Sequence, residues 1–255
     1  MVIFTLAWKD FKSLVTSPIF YVLSGLSACL WSFIYLRQIL EFAARSMAGP
    51  MMGMSQGSRN IHFDVFASHI WLVNLIFIFV VPALTMRLLS EEKKMRTYDL
   101  LLTAPITATD IAVGKFLAGY GAALILAFIS MLYPLGTAFF ADFAMGPLLA
   151  SYLGVALVVG LYVAIGVFCS SLTESVFLSV IMGVILNLAL WFVSQGSESV
   201  GSALWSSVLQ HISVGQQFVT FIRGTLQVSA VVFFLSAMGL FVFLTQRVVE
   251  SSRWR

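Results

Sequence analysis

Long apolar stretches broken by short polar punctuation make up most of this chain. Windows free of charge run from Ser13 to Leu36, Ile70 to Met86, Phe116 to Ala141, Phe143 to Thr173, Ser175 to Ser197 and Gly224 to Gln246. A hydrocarbon core roughly 30 Å thick takes about 20 apolar residues per helical crossing, so the pattern predicts six transmembrane helices, at 18–40, 68–89, 112–140, 147–170, 174–195 and 225–247. The second window is short by itself; Arg87 extends it by carrying its charge to the interface on a long apolar stem. Only Ser170 to Ser175 separate the fourth window from the fifth, and Ser171 and Glu174 have capping-box spacing, which predicts a tight hairpin there. Ala156, Gly160 and Ala164 form a small-xxx-small ladder that predicts close helix packing by the fourth span.

The first seventeen residues follow a different rhythm. Ile3, Phe4, Ala7, Trp8, Phe11, Leu14 and Val15 recur at three- and four-residue spacing and share one side of a helix, with Thr5, Lys9, Lys12, Ser13 and Thr16 on the other. This predicts an amphipathic helix lying in the membrane interface over 1–17, with Trp8 and Phe11 at headgroup depth and Lys9 and Lys12 toward lipid phosphates. Pro18 ends it and turns the chain into the bilayer. Outside the spans, two substantial loops are expected at roughly 38–68 and 196–224. The second holds Trp205, Val208, Leu209, Ile212, Phe218, Phe221 and Ile222, a pattern of short helices in or dipping into the outer leaflet.

Composition agrees with a membrane domain. The 255 residues are 60% hydrophobic and 10% charged, where soluble domains carry about 25% charged residues. The net charge of +3 comes from cations scattered among loops, so it reads as a topology signal and not as a nucleic-acid surface. With the N-terminus inside, Lys9, Lys12, Arg87, Lys93, Lys94, Arg96, Lys115, Arg247, Arg253 and Arg255 face the cytoplasm, and Arg37, Arg45, Arg59 and Arg223 lie outside. An odd number of spans breaks this bias, so both termini are expected in the cytoplasm. Leu26-Ser27-Ala28-Cys29 has the form of a lipoprotein-processing box, but Leu30 to Ile34 continue as membrane span where a mature lipoprotein begins a polar tether, so no cleavage is expected. Cys29 and Cys169 fall at different depths, which argues against a disulfide.

Chemistry is sparse. The phosphate-binding pattern G-x-x-x-x-G-K-[ST] does not occur, so ATP hydrolysis by the usual loop has to come from another polypeptide. His62, His69 and His211 have no metal-ligand spacing, and no G-x-S-x-G supplies a serine nucleophile. Met47, Met51, Met52 and Met54 near His62 leave open an outer-face copper-related role. No catalytic residue, metal site or cofactor is expected in this chain. Asn74 and Asn187 are amides at membrane depth, each needing a partner helix or a cavity.

The most informative segment follows the second span. Arg87, Glu91, Glu92, Lys93, Lys94 and Arg96 form a dense mixed-charge cluster. Thr97, Tyr98, Asp99, Leu100, Leu101, Leu102 and Thr103 then lead to the helix-ending Ala104-Pro105 and Ile106. A solvated loop has no need of a leucine triplet, whereas a short helix pressed into a groove on a soluble partner buries such side chains while flanking charges orient it. The alternative is a loop folded against its own bundle.

This segment resembles the hallmark of ABC-2 type permeases, particularly the gliding-motility-associated ones, whose pattern R-x-x-x-E-E-K-x-x-x-T-x-x-L-L-L-T-x-P-I is matched by Arg87, Glu91, Glu92, Lys93, Thr97, Leu100, Leu101, Leu102, Thr103, Pro105 and Ile106. Asp99 stands where those relatives usually carry Glu, and Gly114-Lys115 follows at the usual distance. The likeness extends to Ser17-Pro18-Ile19, Ala164 to Phe168 and Phe218 to Gly224. It implies an all-α polytopic exporter subunit of six transmembrane helices plus the interfacial helix, placed in a bacterial inner membrane and paired with an identical or related permease. Two ABC ATPase subunits, which carry the ATP and Mg²⁺, then grip the 90–111 coupling segment, and a periplasmic-domain subunit is a possible further partner. The second and fifth helices, with Asn74 and Asn187, are implied to line the central seam. The alternative function is a mechanotransmission module that acts on a periplasmic partner instead of moving a solute.

Overall fold

A computed structural model describes residues 2–51, 60–197 and 209–252. The described chain is helical, and no strand occurs among these residues. In chain order it forms α1 (Val2–Val15), α2 (Pro18–Met51), a π-helical turn (His62–Phe66), α3 (Ala67–Thr85), α4 (Ser90–Lys94), α5 (Tyr98–Thr103), α6 (Ala108–Thr137), α7 (Met145–Leu172), α8 (Val176–Ser197), α9 (Val214–Ile222) and α10 (Val228–Ser252). Six of the helical stretches are long and apolar enough to cross a membrane, which makes this an all-helical, multi-pass membrane protein.

The first long helix continues past residue 40 to Met51, through much of the segment read from the sequence as loop. The methionine cluster falls outside the description: Met52 and Met54 lie beyond the described residues, as do the side chains of Met47 and Met51. Trp205, Val208, Arg59, Arg253 and Arg255 lie outside it as well.

At the centre stands α7, which packs on α3, α6, α8, α9 and α10. Its closest glycine approaches occur at Gly154, Gly160 and Gly166; Gly160 belongs to the Ala156–Gly160–Ala164 ladder, of which Gly160 and Ala164 are buried. A β-carbon at Gly154 would lie 2.5 Å from Phe221 Cβ, one at Gly160 would lie 2.6 Å from Met238 Sδ, and one at Gly166 would overlap Thr85. A spacing of six residues advances the helix by about 240°. The three glycines therefore open three different faces, one toward each neighbour.

Helix α1 carries three faces where the sequence suggested two. Ile3, Leu6, Ala7, Asp10 and Leu14 turn toward the bundle, and Leu6 and Phe11 seat against Gly114 and Gly121 of α6. Phe4 and Trp8 stay exposed on an apolar flank, with Trp8 stacked on Phe11 at 5.6 Å, and Lys9 and Lys12 project from a polar flank. The strip that packs inward includes Leu6, which lies outside the expected apolar set, and it also contains an aspartate.

Two further expectations change. The hairpin between α7 and α8 is not a Ser171–Glu174 capping box: the Ser171 hydroxyl donates to Phe168 O, and Ser175 Oγ accepts from Leu178 N at 3.4 Å instead. A capping box does form at the start of α6, where Thr107 and Asp110 bond reciprocally. Helix α9 does not turn its apolar face to the leaflet. Phe218, Phe221 and Ile222 are buried against Trp191 of α8, Gly154 of α7 and Phe234 of α10.

Candidate functional site

One end of the bundle gathers Lys9, Lys12, Arg87, Lys93, Lys94, Arg96, Lys115 and Arg247, while Arg37, Arg45 and Arg223 sit toward the other. At the cation-rich end α3 gives way at Thr85 to a tight turn and then to α4. Ser170 of α7 holds this bend: its hydroxyl accepts from the amides of Leu89 at 3.1 Å and Ser90 at 2.9 Å and donates to Met86 O at 2.8 Å. Those amides start a helix and would otherwise be buried without partners.

Charged side chains fasten α4 and its approach to α1, α6 and α7. Arg87 grips Glu91 through two parallel bonds, Nε to Oε2 at 2.5 Å and Nη2 to Oε1 at 2.8 Å, and its third nitrogen donates to Ser17 Oγ at 2.8 Å in the turn between α1 and α2. Such a two-pronged pair fixes direction as well as distance. Glu92 takes Lys115 Nζ at 2.5 Å, and the same ammonium lies 2.9 Å from Asp10 Oδ2 of α1. Lys115 is 1% exposed and Asp10 7%, while the Glu92 side chain keeps 23% exposure and all three border a cleft; the triad joins α1, α4 and α6, and losing one member strands the others. Lys93 completes the set by donating to Ser171 O at 2.5 Å, and it stands 5.1 Å over the ring of Tyr98.

Helix α4 ends in a Schellman turn. Arg96 N donates to Lys93 O and Thr97 N to Glu92 O, with Arg96 itself at φ 56°. Then comes α5, which packs on α4 and carries the leucine triplet. The structure divides that triplet: Leu100 is 72% exposed, whereas Leu101 is half-buried against the core, and the side chain of Leu102 lies outside the described residues. Tyr98 is buried, while Thr97, Asp99, Thr103 and Pro105 are exposed and Ile106 packs partly on the core. Lys94 is exposed beside Lys93.

Asn74 and Asn187 lie inside this subunit. Asn74 Oδ1 accepts from the Tyr162 hydroxyl at 3.2 Å, and Asn187 Nδ2 donates to Ile78 O at 3.5 Å, so the two amides bond across α3–α7 and α3–α8 respectively. His62 is buried, with its Nε2 2.9 Å from Ile222 O. Among the described residues no group of three or more His, Cys, Asp or Glu is placed to hold a metal ion.

The sequence reading gave Lys115 only a passing place and missed Asp10 and Ser170 altogether. Lys115 had a usable signal, being an ionisable residue next to a charge-free window, a position that is costly unless paired. Asp10 and Ser170 had none, since each looks like ordinary polar punctuation until its partners are known.

Taken together, the fold and this end of it define a polytopic helical membrane protein in which a short exposed helix stands on a salt-bridged base. A family model described as ABC-2 family transporter protein matches residues 4–255, and the chain belongs to that family. It is therefore the membrane-spanning, non-catalytic subunit of an ABC transporter, and membership implies an ABC ATPase as partner. Comparison with curated proteins finds no match.

Proposed function

We propose that the chain is the permease of an ABC exporter of the gliding-motility-associated type, in which α5 and its flanks (97–106) are the docking lever for the ATPase. The carrying observation is that Leu100 is 72% exposed on a short helix whose base is locked by charge pairs into α1, α6 and α7. An exposed leucine on a polar surface is suited to a groove on a soluble partner, and a rigid base lets movement of that partner reach the membrane helices.

In this reading two ATPase copies hold ATP and Mg²⁺, a second permease, identical or related, completes the membrane unit, and both termini lie in the cytoplasm of a bacterium. A nucleotide-driven change in the ATPase shifts α4 and α5 together, and Asp10–Lys115–Glu92 passes that shift to α1 and α6. A partner can bias the bundle only if it binds the two arrangements unequally, and the charge-locked base supplies the connection.

The test is Leu100→Asp in a strain co-expressing the ABC ATPase subunit. Because the side chain is exposed, folding stability should move by no more than about 0.5 kcal/mol, while co-purification of the ATPase is lost. Undiminished co-purification would remove α5 as the docking element. Reconstituted vesicles then address mechanism: ATPase stimulation by lipid or solute supports export, and stimulation only by a periplasmic protein supports the mechanical alternative.

A further inference from the structure

Beside the docking segment lies a cleft of about 1320 Å³ between α4–α5 and the α7–α8 turn, larger than the roughly 300–1,000 Å³ of ordinary small-molecule pockets. Its walls differ in chemistry. Lys93, Lys94 and Arg96 line one side together with Asp99, and Leu172, Glu174, Phe177 and Val180 line the other. Lys93 is committed to Ser171 O and the Tyr98 ring. Lys94 and Arg96 form no salt bridge among the described residues. Against these three cations the lining of the cleft sets two carboxylates, Asp99 and Glu174, of which Glu174 faces Lys93, and Glu91 lies within electrostatic reach of Lys94 from outside the lining.

The backbone at Arg96 points the same way. The fold contains a second Schellman turn, after α9, in which Gly224 N donates to Phe221 O and Thr225 N to Thr220 O, and there the left-handed position is glycine at φ 77°. Arg96 takes the identical position at φ 56° with a side chain that disfavours it. A residue kept where glycine is easier marks a side chain with a use, and this one borders the cleft.

The apolar wall narrows the choice of ligand. Phe177 is 75% exposed and Leu172 45%, and Phe177 and Val180 open α8, whose apolar span Val176–Val193 is mostly uncovered in this subunit. The wall thus runs on into the lipid-facing surface. Leu100, the face read as the ATPase contact, does not line the cleft.

We propose that this cleft binds an anionic membrane phospholipid, with its phosphate on Lys94 and Arg96 and its chains along Phe177 and Val180. Cations at the membrane surface attract anionic lipid, and an amphiphile satisfies both walls at once. Bound there, the lipid braces α4–α5 against the α7–α8 turn and makes the stiffness of the docking segment depend on membrane composition. That regulatory consequence rests on the docking reading, but the binding does not.

Purified full-length permease, without ATPase, is exchanged into detergent containing equal phosphatidylglycerol and phosphatidylcholine of identical chains, and the retained lipid is quantified by native mass spectrometry. Wild type should favour phosphatidylglycerol, and K94Q/R96Q should reduce the preference by about fivefold for each cation removed. R37Q, which removes an exposed cation toward the other end of the bundle, should leave it unchanged. R96G keeps the test decisive if the double variant folds poorly: glycine suits the turn, so its melting temperature should equal or exceed wild type while its share of the preference disappears. An unaltered ratio in both K94Q/R96Q and R96G overturns the proposal. So does displacement of the lipid by inorganic phosphate that itself binds, which marks a free-anion site, and so does loss of ATPase binding in these variants with lipid retention intact, which marks a protein contact. The permease-only format separates this result from the Leu100→Asp experiment, so either reading can fail without the other.

Discussion

Lys115 shows how much a single buried charge can organise. It reaches Asp10 at 2.9 Å and Glu92 at 2.5 Å, and without it two carboxylates, one of them buried, would face each other with no cation between them. Lys115→Ala is expected to destabilise the subunit by about 3–5 kcal/mol, the usual result of breaking a buried charge set by removing one partner. Thermal unfolding in detergent reads this directly, and the triple change Lys115→Met with Asp10→Asn and Glu92→Gln should recover much of the loss. A melting temperature unmoved by Lys115→Ala would mean the triad holds nothing together. In the sequence this lysine can be recognised as anomalous, but its partners come from α1 and α4, and no local pattern connects them.

Among the elements, α7 is the clearest case of an arrangement that periodicity describes only in part. A spacing of four residues keeps small side chains on one stripe, and Ala156, Gly160 and Ala164 predicted close helix packing there, where Gly160 does meet Met238. The bundle surrounds α7, and glycines at spacing six serve α9, α10 and α3 in turn. Gly166→Ala would push a methyl into Thr85, and overpacking of this kind costs about 1–3 kcal/mol. Thr85→Ala in the same chain should restore part of that, as a double-mutant cycle of melting temperatures would show. If the two changes add without coupling, the α3–α7 contact is not the tight one. Helix α1 teaches a similar lesson: its amphipathic rhythm was plain, but the packed strip could be told from the lipid-facing strip only once α6 was seen against Leu6 and Phe11.

Across the whole molecule, the fold separates the described cations between the two ends of the bundle. Arg87, Lys93 and Lys115 converge on α4 and its surroundings through Glu91, Ser171 O and Glu92, while Arg37 pairs with Glu41 far along α2. The proposed cytoplasmic placement of the cation-rich end predicts that single cysteines placed in a cysteine-free background at Thr103 and at Arg45 react with a membrane-impermeant maleimide from opposite sides, Thr103→Cys only in inverted vesicles. Labelling of both from the same side would contradict the six-span arrangement, and exchanged sides would reverse the orientation.

Span number, the amphipathic opening and the ABC-2 motif could be read from the residues, because hydropathy acts over windows of adjacent positions and the motif is contiguous. The partition of the leucine triplet into exposed Leu100 and half-buried Leu101, the inward packing of α9, the Asp10–Lys115–Glu92 triad and the placing of Arg96 beside a cleft were decided only in three dimensions. Each depends on which distant helix supplies the other surface, and in a chain of uniformly apolar helices the linear order carries little record of that choice.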